Sequence, residues 1–205
     1  MEITQTIADI ISPLNSSAGQ KPTAWSIDLL KEIEWKRFEE LSRAYFERRG
    51  LKAKTTKIGA DGGVDIHLYQ SESDTPSAFV QCKAWNKYKV GIKPVRELFG
   101  VMAADDIQDG FFMTTGVFTS EAKQFAKGKL NLVTGETLLR FISNLPKEEQ
   151  YALLDVATEG DYTTPSCPRC GIKMVVRESK KGNNPGSDFW GCTNYPKCKS
   201  TLKKK

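Results

Sequence analysis

Four of the five cysteines lie within the last 39 residues, as the pairs Cys167/Cys170 and Cys192/Cys198. The first pair sits in Cys167-Pro168-Arg169-Cys170-Gly171, a tight knuckle, and the spacing of the four matches a closed tetrahedral site of thiolates. About forty residues bury too little apolar surface to fold unaided, so a bound ion has to supply the folding free energy. Zinc is the expected ion, in a structural role, because protein ligands fill every coordination position. Unligated cysteines are the weaker alternative for paired spacing of this kind. The chain therefore divides into a body and a small C-terminal module, expected over residues 166–202.

Charge divides at the same place. Thr163 onward holds 10 Lys/Arg against 2 Asp/Glu, a formal +8, while residues 1–162 hold 20 against 23, a formal −3 of the total +5. A basic end on a slightly acidic body suits an anionic partner, with nucleic acid foremost; Lys203-Lys204-Lys205 alone would be no more than a solubilising tail. A content of 39% hydrophobic and 27% charged residues fits a soluble globular chain. No apolar run is long enough to span a bilayer, and the start Met1-Glu2-Ile3-Thr4-Gln5 lacks the pattern of a secretory signal. A cytoplasmic location is expected.

In the body, residues 1–25 read as a flexible leader. From an N-cap at Ser26, with Asp28 in the first turn, Leu29, Leu30, Ile33, Phe38, Leu41, Tyr45 and Phe46 recur at helical steps until Gly50, predicting one helix. Val64, Ile66 and Leu68 then alternate with Asp65, His67 and Tyr69, the period of a half-buried strand. After a polar turn at Ser71–Ser77, Ala78, Val80, Cys82 and Ala84 alternate with Phe79, Gln81, Lys83 and Trp85, completing a hairpin. Lys93-Pro94-Val95 opens a helix. Gly110–Thr115 is a strand, Thr119 caps a helix through Phe125, Leu130–Val133 is a short strand and Thr137–Ile142 a helix. This order predicts an α/β domain with a mixed sheet over residues 26–145. Residues 146–165 read as a connecting helix and a linker.

The hairpin carries the chemistry. Strand periodicity puts Gln81 and Lys83 on one face and pairing brings Asp65 opposite, so a carboxylate, an amide oxygen and an ammonium converge. A hard cation such as Mg²⁺ takes oxygen ligands and can clamp a phosphate. Asp65 would supply the anionic ligand, with Gln81 and the Cys82 carbonyl as neutral ones. Lys83 would orient or deprotonate water and stabilise charge on the phosphate. Exposed Asp and Lys on paired strands also form ordinary ion pairs; the glycine-rich approach Gly59-Ala60-Asp61-Gly62-Gly63 and the shared aim of the three side chains favour the catalytic reading. His67 reads as a polar neighbour and Cys82 as a core residue. Lys87, Lys89, Lys93 and Arg96 follow the second strand, as phosphate contacts or as a solvated face.

Glu34-Trp35-Lys36-Arg37-Phe38-Glu39-Glu40-Leu41, Ala60-Asp61-Gly62-Gly63-Val64-Asp65, Gln81-Cys82-Lys83 and Val95-Arg96-Glu97-Leu98-Phe99-Gly100, in that order, resemble the Mrr-type restriction endonuclease domain, a branch of the PD-(D/E)xK nuclease superfamily. The resemblance covers about residues 28–145. It implies a restriction-endonuclease-like αβββαβ core and Mg²⁺-dependent DNA cleavage, with Asp65, Gln81 and Lys83 as the catalytic triplet and Asp65 and Gln81 on the magnesium. In this branch a glutamine replaces the second acidic ligand, and Gln81 follows that variant. Glu39 matches the helix carboxylate that assists the metal, with Glu34 and Glu40 as substitutes. One lost anionic ligand lowers affinity for Mg²⁺ unless Glu39 contributes charge.

Cys167-Pro168-Arg169-Cys170-Gly171, Met174-Val175-Val176-Arg177 and Phe189-Trp190-Gly191-Cys192-Thr193-Asn194-Tyr195-Pro196-Lys197-Cys198 resemble the C-terminal zinc ribbons of type IA topoisomerases, which bind DNA. Phe189 and Tyr195 offer flat faces for bases, and Arg169, Arg177, Lys180, Lys181, Lys197 and Lys199 offer phosphate contacts; Trp190, next to Gly191-Cys192, is assigned to the small core. The expected function is DNA endonuclease activity in restriction or genome defence, the ribbon adding affinity through linked binding. The alternatives are a DNA-binding protein with a weak or inactive nuclease fold, and a DNA-repair or junction-resolving nuclease. Cutting both strands favours two active sites, hence a possible homodimer.

Overall fold

The computed structural model describes residues 21–56, 63–70, 73–86, 88–180 and 185–204. Most of the expected leader, the approach at 59–62, Lys87 and Lys181 lie outside the described residues. In chain order the elements are α1 (Ile27–Glu32), α2 (Trp35–Arg48), β1 (Lys52–Thr55), β2 (Ile66–Tyr69), β3 (Ala78–Lys83), α3 (Ile92–Ala104), β4 (Asp109–Thr114), α4 (Ser120–Ala126), β5 (Asn131–Val133), α5 (Gly135–Ser143), α6 (Lys147–Ala157), β6 (Met174–Glu178), β7 (Asp188–Cys192) and β8 (Thr201–Lys203).

The body is a five-stranded mixed sheet in the order β1-β2-β3-β4-β5, antiparallel from β1 to β3 and parallel from β3 to β5. Parallel neighbours need crossovers, and α3 and α4 supply them. Leu98 and Met102 of α3 and Ala122 and Ala126 of α4 bury against Phe79 and Phe112. The opposite face, with Ile66, Leu68, Val80 and Cys82, packs beneath α1, α2, α5 and α6 through Leu30, Phe38, Leu41, Leu138 and Leu153. The result is an α/β sandwich with a separate three-stranded sheet, β6-β7-β8, in the C-terminal module.

Four expectations change. The single helix from Ser26 is two, because Ile33 is extended (ψ 136°) and Glu34 stands outside α2 as its N-cap. Both helices bury the same face, so apolar periodicity runs through the break. Strand β1, Lys52–Thr55, shows no apolar alternation, because only Ala53 of its four residues is buried. The alternation at Val64 is interrupted: Val64 joins Phe79 in one core while Ile66 joins Val80 in the other. Finally, β3 has no polar face, since Ala78 through Cys82 are all buried. Gln81 shares its side with Phe79, as expected, but that side lies under α3 and α4.

The caps agree with expectation. Ser26 accepts from the Leu29 N–H at 3.0 Å and Thr119 from the Ala122 N–H at 3.3 Å. Helix α5 begins earlier than Thr137, capped by Thr134.

Phe112 is fully buried on β4, with its ring edge-on to Phe118 at 5.7 Å. Phe112→Ala should cost roughly 3–5 kcal/mol, read as a lowered denaturant midpoint in equilibrium unfolding.

Candidate catalytic and zinc sites

Asp65 stands one residue before β2 and is fastened to both neighbouring strands. Its N–H donates to the Val80 carbonyl at 2.9 Å, and its carbonyl accepts from the Thr56 N–H at 3.0 Å. The carboxylate turns to β3, where Oδ2 accepts from the Cys82 N–H at 2.7 Å. From α2, Glu39 comes close enough to the Asp65 side chain for the two acids to interact, and the Lys83 ammonium acts on both. Burial raises both carboxylic acids above their ordinary range. Glu39 is pushed up to about 8, first by burial and then by the Asp65 charge, with Lys83 and Lys36 opposing. Asp65 is also raised by burial, against the Cys82 amide, Lys83 and Glu39. An acid, a second acid and an amine thus form one cluster where β2 and β3 meet α2.

Of the three candidate glutamates, Glu39 belongs to this cluster. Glu40 pairs with Arg37 at 2.8 Å, and Glu34 is committed to the C-terminal module. Gln81 is 4% exposed. Its amide lies over Gly63, where an added Cβ would come within 2.7 Å of Nε2. Gly63 also has φ +92°, so that position needs glycine on two counts. Gln81 Oε1 is buried without a hydrogen-bond partner among the described residues. Cys82 is a core residue, 4% exposed, and His67 stacks on Phe79 with ring centroids 4.7 Å apart.

In the C-terminal module, the Cys167 N–H donates to the Ile172 carbonyl and the Gly171 N–H to the Cys167 carbonyl, each at 2.8 Å, closing the knuckle. Gly171 has φ +73° there. The Sγ atoms of Cys167 and Cys198 are 3.6 Å apart, those of Cys170 and Cys192 3.4 Å, and all four lie within 4.8 Å of one another. A zinc ion with sulfur at about 2.3 Å demands S···S edges of about 3.8 Å, so the four thiols fit it. Burial pushes the Cys167 thiol up, but the amides of Arg169 and Cys170 outweigh it and hold the thiol at about 6. Met174, Trp190 and Leu202 complete the small core around the cysteines.

Residues 30–142, more than half of the chain, match the family model described as restriction endonuclease, of the Mrr catalytic type. The chain belongs to this family. Residues 165–205 match the topoisomerase DNA binding C4 zinc finger model. Among curated relatives, the Mrr-type domain is similar to the type IV methyl-directed restriction enzyme EcoKMrr of Escherichia coli, 28% identical over 57% of this chain and 40% of that protein. The C-terminal region is similar to DNA topoisomerase 1 of Archaeoglobus fulgidus, 36% identical over 33% of this chain and 10% of that one. The chain therefore spans well under two thirds of either relative. Among solved structures, the DNA modification-dependent restriction endonuclease AspBHI aligns with a TM-score of 0.47 at 19% identity, covering 69% of this chain and 42% of that chain.

The predicted DNA contacts fall into three places. On the Mrr-type domain, Lys89, Lys93 and Arg96 are exposed, and Arg96 lies over the Phe125 ring at 5.3 Å. On the ribbon, Arg177, Phe189, Tyr195 and Lys199 line one depression of about 170 Å³, with Arg177 over the Tyr195 ring at 5.7 Å; Lys180 and Lys197 are exposed. Arg169 lies apart from these. It lines a cleft with Glu39 of the Mrr-type domain. Sequence reasoning missed Lys36, which is half-buried in that cleft, and the role of Glu34. Among the described residues, no helix is long and apolar enough to cross a membrane.

Two outcomes are expected. In metal-free protein, Glu39 keeps its proton up to about pH 8 when folded but only to about 4.5 when unfolded. The folded state binds more protons between those values, so this stabilising contribution is full below the unfolded pKa and is lost as pH rises through the folded one. Denaturant midpoints should fall across that window, and Glu39→Gln should flatten the slope. Separately, chelation should release one zinc per chain and open residues 166–202 to limited proteolysis.

Proposed function

We propose that the chain is a Mg²⁺-dependent endodeoxyribonuclease that hydrolyses DNA phosphodiester bonds, acting in restriction or genome defence. The observation that carries this reading is the meeting of Asp65, Glu39 and Lys83 in one half-buried cluster within a restriction endonuclease family domain. The residues fit a divalent ion of oxygen preference. Asp65 and Glu39 offer carboxylates and Gln81 offers an amide oxygen, Oε1, that is buried without a partner among the described residues. A bound magnesium would polarise the scissile phosphate and acidify an attacking water. The chain's own groups do the rest. The Cys82 amide fixes the Asp65 carboxylate, burial makes each charge count for more, and the Lys83 ammonium would orient the attacking water and balance charge building on phosphate.

One observation favours a second reading, DNA binding with slow turnover. A neutral amide at Gln81, where the wider superfamily has an acid, leaves less anionic charge for a cation. The ribbon, by its family description a DNA-binding module, would still supply affinity for DNA in either case.

Asp65→Ala and Lys83→Ala should each lower Mg²⁺-supported cleavage of plasmid DNA by at least about a hundredfold while DNA binding persists. Parent-like cutting by both variants would remove this assignment. Gel-shift and cleavage assays run side by side, with modified and unmodified plasmid, separate the two readings.

A further inference from the structure

The linking segment does not run free between the two modules. Glu34 is buried, its side chain 4% exposed, and its carboxylate spans both. Oε2 accepts from the Lys36 N–H at 3.0 Å, capping α2, and from the Ser166 N–H at 3.2 Å. Oε1 accepts from Ser166 Oγ at 2.8 Å and from Lys173 Nζ at 3.1 Å. Around it, the Glu34 N–H donates to the Tyr162 carbonyl at 2.8 Å, and Trp35 Nε1 donates to the Ser166 carbonyl at 2.8 Å. Lys173 also donates to the Thr164 carbonyl at 2.7 Å. A buried carboxylate with four donors, one of them charged, is strongly disfavoured from letting go, because release strands charge in a poorly hydrated place.

Seated this way, the zinc knuckle forms a wall of a cleft of about 690 Å³ whose lining includes Lys36, Arg37, Glu39, Arg43, Thr56 and Arg169. Glu39 places one end of it at the carboxylate cluster. Two of the four cations are already committed, Arg37 to Glu40 and Arg43 to Glu47. Lys36 and Arg169 form no ion pair among the described residues, and they come from opposite modules. Lys36 Nζ reaches the knuckle itself, 3.4 Å from where a Cβ on Gly171 would stand.

We infer that this cleft is the path of the DNA backbone away from the cleavage centre, with Lys36 and Arg169 as phosphate contacts on facing walls and Glu34 as the residue that positions Arg169. The inference rests on reading the Asp65, Glu39 and Lys83 cluster as that centre. It separates Arg169 from Arg177 and Lys199, which line a different depression. It also makes the ribbon a fixed part of the substrate groove rather than a tethered second binder.

The test measures binding of the zinc-loaded full chain, without Mg²⁺, to a short fluorescent duplex and to its single strand over a range of salt. Lys36→Ala and Arg169→Ala should each lower the slope of log affinity against log salt by about 0.9 on duplex or about 0.7 on single strand, whichever form occupies the cleft. Glu34→Ala should lower it as Arg169→Ala does, with zinc retained, and adding Arg169→Ala to Glu34→Ala should change nothing more. Unchanged slopes in Lys36→Ala and Arg169→Ala on both forms of DNA overturn the path. An Arg169→Ala effect undiminished by Glu34→Ala overturns the positioning. Should Glu34→Ala lose zinc or unfold, Lys173→Gln, which weakens the same seat, takes its place in the cycle. None of these slopes depends on cutting, so parent-like cleavage by both Asp65→Ala and Lys83→Ala would sink the catalytic reading while leaving the slopes to judge the cleft.

Discussion

Strand β3 has no solvent face, and the body of the protein is arranged around that fact. Val80 and Cys82 enter the core beneath α1, α2, α5 and α6, while Phe79 enters the core beneath α3 and α4. Burial on both sides requires the backbone to be paired on both sides, and β2 and β4 do this, one antiparallel and one parallel. One departure from regular pairing falls at the place that carries charge. Asp65 gives its N–H to Val80 and takes the Cys82 N–H on its carboxylate. A ladder hydrogen bond has been exchanged for one to a side chain, which fixes an acid at the sheet without leaving an amide orphaned.

That exchange explains the electrostatics. A carboxylate tied to the Cys82 amide is held half out of water, so burial raises its pKa and that of the glutamate brought against it by α2. Lys83 limits the cost by lying within reach of both. Gln81, two residues earlier on β3, is buried on the side beneath α3 and α4, where a neutral amide costs less than a charge.

Much of this was legible in the sequence and some was not, for identifiable reasons. The four cysteines announce their module because thiolate pairs have few other uses, and pairing of the two strands foretells that Asp65 and Lys83 come near each other. The break between α1 and α2 was hidden because Ile33 and Phe38 bury on a common face across it. Strand β1 is hidden because Lys52, Lys54 and Thr55 are exposed and only Ala53 is buried. The doubly covered β3 was hidden because a central strand blurs the contrast between its faces. Glu34 was passed over as a substitute for Glu39, since its partners Ser166 and Lys173 lie 132 and 139 residues away. Local pattern reports helices, strands and metal knuckles; it does not report which distant donors a carboxylate will meet.

The seating of the ribbon has a consequence for how such chains diversify. Modules that hang on flexible tethers can be traded between proteins with little regard for their neighbours. Here a transplanted ribbon would have to bring a hydroxyl at position 166 and an amine at position 173, or leave an anion stranded at the head of a helix that also carries Glu39. The two halves are therefore obliged to change together, and a foreign finger joined at this point would disturb the host before it ever met its substrate.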